Sequence, residues 1–75
     1  MSDHELNHLV KMANQMAFNI GTGAADEVAI AKVATHINMF WARPMREKIC
    51  ANMDECTEKL HPIAAQALMQ VKAKL

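Results

Sequence analysis

Apolar residues recur at steps of three and four along nearly the whole of this chain, and nowhere do they alternate with polar ones at period two. That pattern admits helices packed on one another and leaves no segment that would sit in a sheet. Turn-forming residues are sparse: Gly21-Thr22-Gly23, then Pro44, then Pro62. They cut the chain into four segments, which predicts helices over 3–20, 25–41, 44–56 and 62–74. The expected fold is all-α: a small compact bundle of about four helices, with 1–75 as a single helical domain.

Each segment has an apolar face on a helical wheel. In the first, Leu6, Leu9, Val10, Ala13, Met16, Ala17 and Ile20 fall within an arc of about 120°. His4, Asn7, His8, Lys11, Asn14 and Gln15 lie opposite, and Gly21 is a natural helix stop. Phe18 points to the polar side, where packing gives no reason for an aromatic. In the second, Ala29, Ile30, Val33, Ala34, Ile37, Phe40 and Trp41 share one face, with His36 at its edge. Val28 and Met39 form a smaller apolar patch away from it. The third segment opens at Pro44, a favoured first-turn residue, and aligns Met45, Ile49, Met53 and Cys56. The fourth opens at Pro62 and groups Ile63, Ala64, Ala67, Leu68 and Val71, leaving Met69 on its polar side. Thirteen alanines favour helix and let helices approach closely. Seven methionines read first as adaptable core filler.

Size decides what such a bundle can hide. The chain has 75 residues, of which 52 % are hydrophobic. A core this small cannot cover them all, so some apolar surface is expected to meet a partner. Eight basic residues balance eight acidic ones. That argues against nucleic acid, whose binders carry a basic patch; only Arg43, Arg46 and Lys48 cluster. Met1 to Glu5 is polar, with no signal-peptide core. No apolar run approaches the roughly 18–20 residues that span a bilayer. A cytoplasmic protein is expected, with Cys50 and Cys56 as reduced, small apolar residues. Six residues apart on one helix, they would stand about 9 Å apart along its axis, beyond the roughly 7 Å disulfide limit between Cα atoms.

One motif looks catalytic. His4-Glu5-Leu6-Asn7-His8 matches H-E-x-x-H, in which two histidines on one helix face hold zinc and the glutamate acts as general base. A third ligand is missing: the extended form wants Gly and His where this chain has Lys11 and Asn14. Glu27, His36 and His61 have no recognisable spacing as substitutes, and the wheel turns His4 and His8 to solvent. His61, just before Pro62, reads as a helix-entry residue. No Ser-His-Asp order, phosphate-binding glycine loop or Cys-x-x-Cys pair is present. The chain is therefore not expected to be an enzyme, nor to bind a metal or cofactor itself. A small helical nucleic-acid-binding regulator and a zinc hydrolase built on His4, Glu5 and His8 are the alternatives.

Two stretches carry a resemblance. Leu9-Val10-Lys11-Met12-Ala13-Asn14-Gln15-Met16-Ala17 is the first, and Val33-Ala34-Thr35-His36-Ile37-Asn38-Met39-Phe40-Trp41, followed by Met45-Arg46, is the second. Together they resemble the delta-subunit family of NAD-dependent molybdenum formate dehydrogenases, whose hallmarks look like L-V-x-M-A-N-Q-I-A and I-A-x-H-I-x-x-F-W-x-x-x-M-R. Leu60-x-Pro62-Ile63 with Ala67-Leu68 is similar to a weaker element further on. The resemblance spans about residues 6 to 68. It departs from the family's F-W-D-P-R-M-R at Ala42-Arg43-Pro44, which lacks the aspartate and displaces the proline by one.

The resemblance implies a small accessory subunit that binds the catalytic alpha subunit and supports assembly or cofactor loading. The complex would carry bis-molybdopterin guanine dinucleotide, iron–sulfur clusters and FMN, and would bind NAD, none of them on this chain. The expected partner-binding residues are Asn14, Phe18, His36, Met39, Phe40, Trp41, Arg43 and Arg46. For Phe40 and Trp41 plain core packing is an equal alternative. Self-association of the isolated chain could also cover surplus apolar surface.

Overall fold

A computed structural model describes residues 3–21 and 25–75. Its elements are α1 (His4–Gly21), α2 (Asp26–Phe40), α3 (Arg43–Ala51), α4 (Met53–Cys56), a 3-10 turn (Thr57–Lys59) and α5 (Pro62–Ala73). No strand occurs among the described residues. The chain is all-α, as its periodicity predicts. Thr22 and Gly23, the expected joint between the first two helices, lie outside the described residues.

Helix ends follow local chemistry. Asp3 caps α1: its Oδ1 accepts from the Leu6 N–H at 3.0 Å, and its backbone carbonyl accepts from Asn7. Asp26 and Glu27 place negative charge in the first turn of α2, where the helix dipole favours it. After Phe40 the chain turns extended at Trp41 and Ala42, and α3 begins with Pro44 in its first turn. His61 is the helix-entry residue expected: its Nδ1 accepts from the Ile63 N–H at 3.1 Å, ahead of Pro62.

The third segment differs from expectation. Instead of one helix over 44–56, α3 stops at Ala51 and α4 restarts at Met53. Asn52 is the reason. Its side-chain amide donates to the Lys48 carbonyl at 2.7 Å, closing α3. Its own carbonyl then accepts from Glu55 and Cys56, opening α4. An asparagine that competes for backbone groups breaks a helix in this way. The bundle thus has five helices among the described residues rather than about four.

The core forms where α2 packs on both α1 and α5, with α3 closing one end. Leu9, Val33, Ile37, Ile49, Leu68 and Val71 are its largest fully buried side chains. Ala13 and Ala17 on α1, Ala29 and Ala34 on α2, and Ala64 and Ala67 on α5 are also buried, so the three helices can approach closely. The two cysteines are free and buried. Cys50 Sγ lies 3.7 Å from the Leu68 carbonyl. Burial pushes both thiols upward, away from thiolate.

Candidate partner-binding surface

The three aromatic residues divide sharply. Trp41 is 5 % exposed and belongs to the core, whereas Phe18 is 72 % and Phe40 68 % exposed. For Trp41 the structure takes the core alternative. Phe40 does not join the core face on which the wheel places it. It is the last residue of α2, and its ring rests on His36 at 4.5 Å between centroids, tilted by 38°. The extended step after it turns Trp41 inward. Met39, beside it, is 70 % exposed, and Val28 and Met69 are exposed as the wheel predicts.

Asn14 is not the simply outward residue its wheel position suggests. It is half-buried, and its amide clasps the chain ahead of α5. Nδ2 donates to the Lys59 carbonyl at 2.8 Å, and Oδ1 accepts from the His61 N–H at 2.7 Å. Both hydrogen bonds join residues more than forty positions apart. Asn14 therefore fixes the 59–61 segment against α1 and shapes the surface beside Phe18.

Three open grooves run across this side. The first lies between α1 and the 59–61 segment, over Val10 and Leu60, with Phe18 on its wall. The second lies between α1 and the end of α2, lined by Met12, Met16, Ile20 and Trp41. The third lies on α2 around Thr35, Met39 and Phe40. Gln15 and Asn19 line both the first and second grooves, and His36 lines both the second and third. The grooves thus adjoin through those shared residues and make one joined face over α1, α2 and the 59–61 segment. That face brings together Asn14, Phe18, His36, Met39 and Phe40, and Trp41 lines it from beneath.

The arginines lie elsewhere. Arg43 sits 3.7 Å from Glu47, both exposed. Arg46 is half-buried; its Nη1 reaches Asn38 Oδ1 at 3.5 Å, and its Nε is buried with no hydrogen-bond partner among the described residues. Lys48 contacts Asp3 at 3.1 Å and Glu5 at 3.7 Å. The Arg43, Arg46 and Lys48 cluster of the sequence is therefore split among different contacts and makes no basic patch.

His4, Glu5 and His8 are all exposed, on the solvent side of α1. Among the described residues no three His, Cys, Asp or Glu side chains converge as a metal site would require. Cys50 and Cys56 are both buried in the core, where desolvation raises their thiols. No helix among the described residues is long and apolar enough to cross a membrane. What the surface offers is apolar area, side-chain amides and lysines, which suit binding.

Comparison with known proteins points the same way. The family model described as NADH-dependant formate dehydrogenase delta subunit FdsD matches residues 8–68, a stretch that contains most of α1 and all of the face on α2. No curated protein and no solved structure matches the chain.

Proposed function

The chain belongs to the family of NADH-dependent formate dehydrogenase delta subunits, and from that premise we propose that it is a non-catalytic accessory subunit that docks on the catalytic alpha subunit. Formate oxidation would then take place on the partner, which would carry bis-molybdopterin guanine dinucleotide and iron–sulfur clusters. FMN and the NAD site would lie on further subunits. The complex would be cytoplasmic.

The family match over 8–68 carries this reading. The exposure of Phe18, Met39 and Phe40 on one face supports it. Large apolar side chains left in water by a chain with a well-formed core are expected where a second protein covers them. Docking on one conformation of the alpha subunit, the one that accepts or retains its cofactor, shifts the population towards that conformation. This chain then supports assembly without touching the reacting atoms.

The test is affinity purification of the C-terminally tagged chain from the cells that make it, with mass spectrometry and molybdenum analysis of the eluate. Recovery of a large molybdopterin-containing subunit with its flavin and iron–sulfur partners is the expected result. Recovery of the chain alone, or with unrelated proteins, overturns the reading.

A further inference from the structure

The chain is neutral as a whole, with eight acidic residues to set against its basic ones, but its charges are sorted in space. Among the described residues no aspartate or glutamate lines any of the three joined grooves. Three lysines do: Lys11 and Lys59 flank the first groove, and Lys32 borders the third. All three are exposed. None of them makes an ion pair among the described residues, although Lys48 and Arg43, which line none of these grooves, both do. Glu47 lines a separate groove with Arg43 and Lys72, outside this face.

We propose that the α1–α2 face docks an acidic surface of the catalytic subunit, with Lys11, Lys32 and Lys59 opposite its carboxylates and Phe18 and Phe40 in apolar recesses between them. This rests on the delta-subunit reading and adds the chemistry of the partner. Charge complementarity selects the occupant. A second copy of this chain, meeting the face about a two-fold axis, would set the same acid-free face against itself and bring lysine to lysine. An acidic protein surface meets both features at once: aromatic anchors at the centre and unpaired cations at the rim. Gln15 and Asn19, on the ridge between the first two grooves, can both donate and accept hydrogen bonds, so they suit exposed peptide groups there.

The experiment measures binding of the full chain to the catalytic subunit purified without it, from low to moderate salt. The variants are Lys11→Glu, Lys32→Glu, Lys59→Glu and their triple combination. Lys74→Glu, which reverses a charge outside the face, is the control. Each single reversal is expected to weaken binding several-fold and the triple on the order of a hundredfold, chiefly through slower association. The wild-type affinity falls with salt and the triple variant's does not. Circular dichroism melts should coincide for all variants, because the three lysines are exposed.

Two results overturn the inference while leaving the delta-subunit reading intact. One is tight binding by the triple variant with an unchanged salt response. The other is loss of binding from Phe18→Ser together with lysine reversals no worse than Lys74→Glu. A wild-type chain that fails to bind the catalytic subunit overturns both. Retention of the wild-type chain on a DNA oligonucleotide at moderate salt, lost in the triple variant, would assign the lysines to nucleic acid and overturn the acidic-protein assignment. A dimer that dissociates on Phe18→Ser and persists when the catalytic subunit is present would assign the face to a second copy and overturn the inference.

Discussion

Two sides of this bundle use the same cationic side chains in opposite ways. At the α1 start and along α3, Lys48 holds Asp3 and Glu5, and Arg43 holds Glu47. Those charges are satisfied within the chain, and the Lys48 pairs tie its N-terminal turn to α3. Across α1 and α2, Lys11, Lys32 and Lys59 stand beside exposed aromatics with no carboxylate among the lining residues. The difference shows which side is complete in itself. Paired charges at one edge contribute modestly to the fold. Unpaired charges around exposed apolar groups contribute nothing to it, and their arrangement suits recognition.

The largest effect separates two neighbours. Trp41→Ala empties a core position and should cost about 3–5 kcal/mol. A chain this size has only about 4–11 kcal/mol in total, so the variant should melt far below the wild type. Phe40→Ser, one residue earlier, removes an exposed ring and should leave the melt nearly unchanged. Equal damage from the two would mean that Phe40 belongs to the core and that the exposed face is smaller than described.

Asn14→Ala tests how firmly the two walls of the first groove are held together. It removes both hydrogen bonds to the 59–61 segment, at roughly 0.5–1.5 kcal/mol each, and should lower the melting temperature by about 10 °C. Asn14→Asp keeps the acceptor for the His61 N–H but loses the donor to the Lys59 carbonyl, so an intermediate loss is expected. If both variants melt like the wild type, the clasp does not hold α5's entry against α1. Phe18→Ser comes next: stability should change by less than about 0.5 kcal/mol, while binding to the catalytic subunit weakens.

Much of this fold is legible in the residues. The arc from Leu6 to Ile20 and the groups at Ala29–Ile37 and Ala64–Val71 are the faces that pack, and Pro62 with His61 marks the entry to α5. Phe18, Met39, Val28 and Met69 stand out as apolar residues off their helix's main face, and they are exposed. Three features could not be read that way. Phe40 shares the apolar arc of α2 but sits at its last position, and a wheel has no ends. Asn52 breaks α3 through a side-chain bond to the Lys48 carbonyl, a local competition that apolar periodicity does not register. The sorting of charge is invisible in a neutral sequence: Lys11, Lys32 and Lys59 are scattered along the chain, and only packing sets them on one face.

The smallest expected effect tests the paired edge from which the lysine face is distinguished. Asp3 sits below its ordinary 3.8, held there first by the Leu6 N–H and then by Lys48. Lys48 is raised above 10.5, first by its hydrogen bond to Asp3. The signs follow from linkage. Asp3 binds its proton more weakly folded than unfolded, so its contribution is present above about pH 4 and is lost as pH falls through its folded value. Lys48 holds its proton more tightly folded, so its contribution is present below 10.5 and is lost as pH rises through its folded value. Asp3 is exposed and Lys48 only half-buried, so the changes are small and are weakened further by salt. Melting temperatures of wild type and Asp3→Asn should therefore differ most between pH 5 and 9 and converge in acid, where the wild-type carboxylate is protonated too. A constant gap down to pH 2 would mean that Asp3 acts through its shape as a cap and not through its charge. The contrast between a paired edge and an unpaired face would then rest on Lys48–Glu5 and Arg43–Glu47 alone.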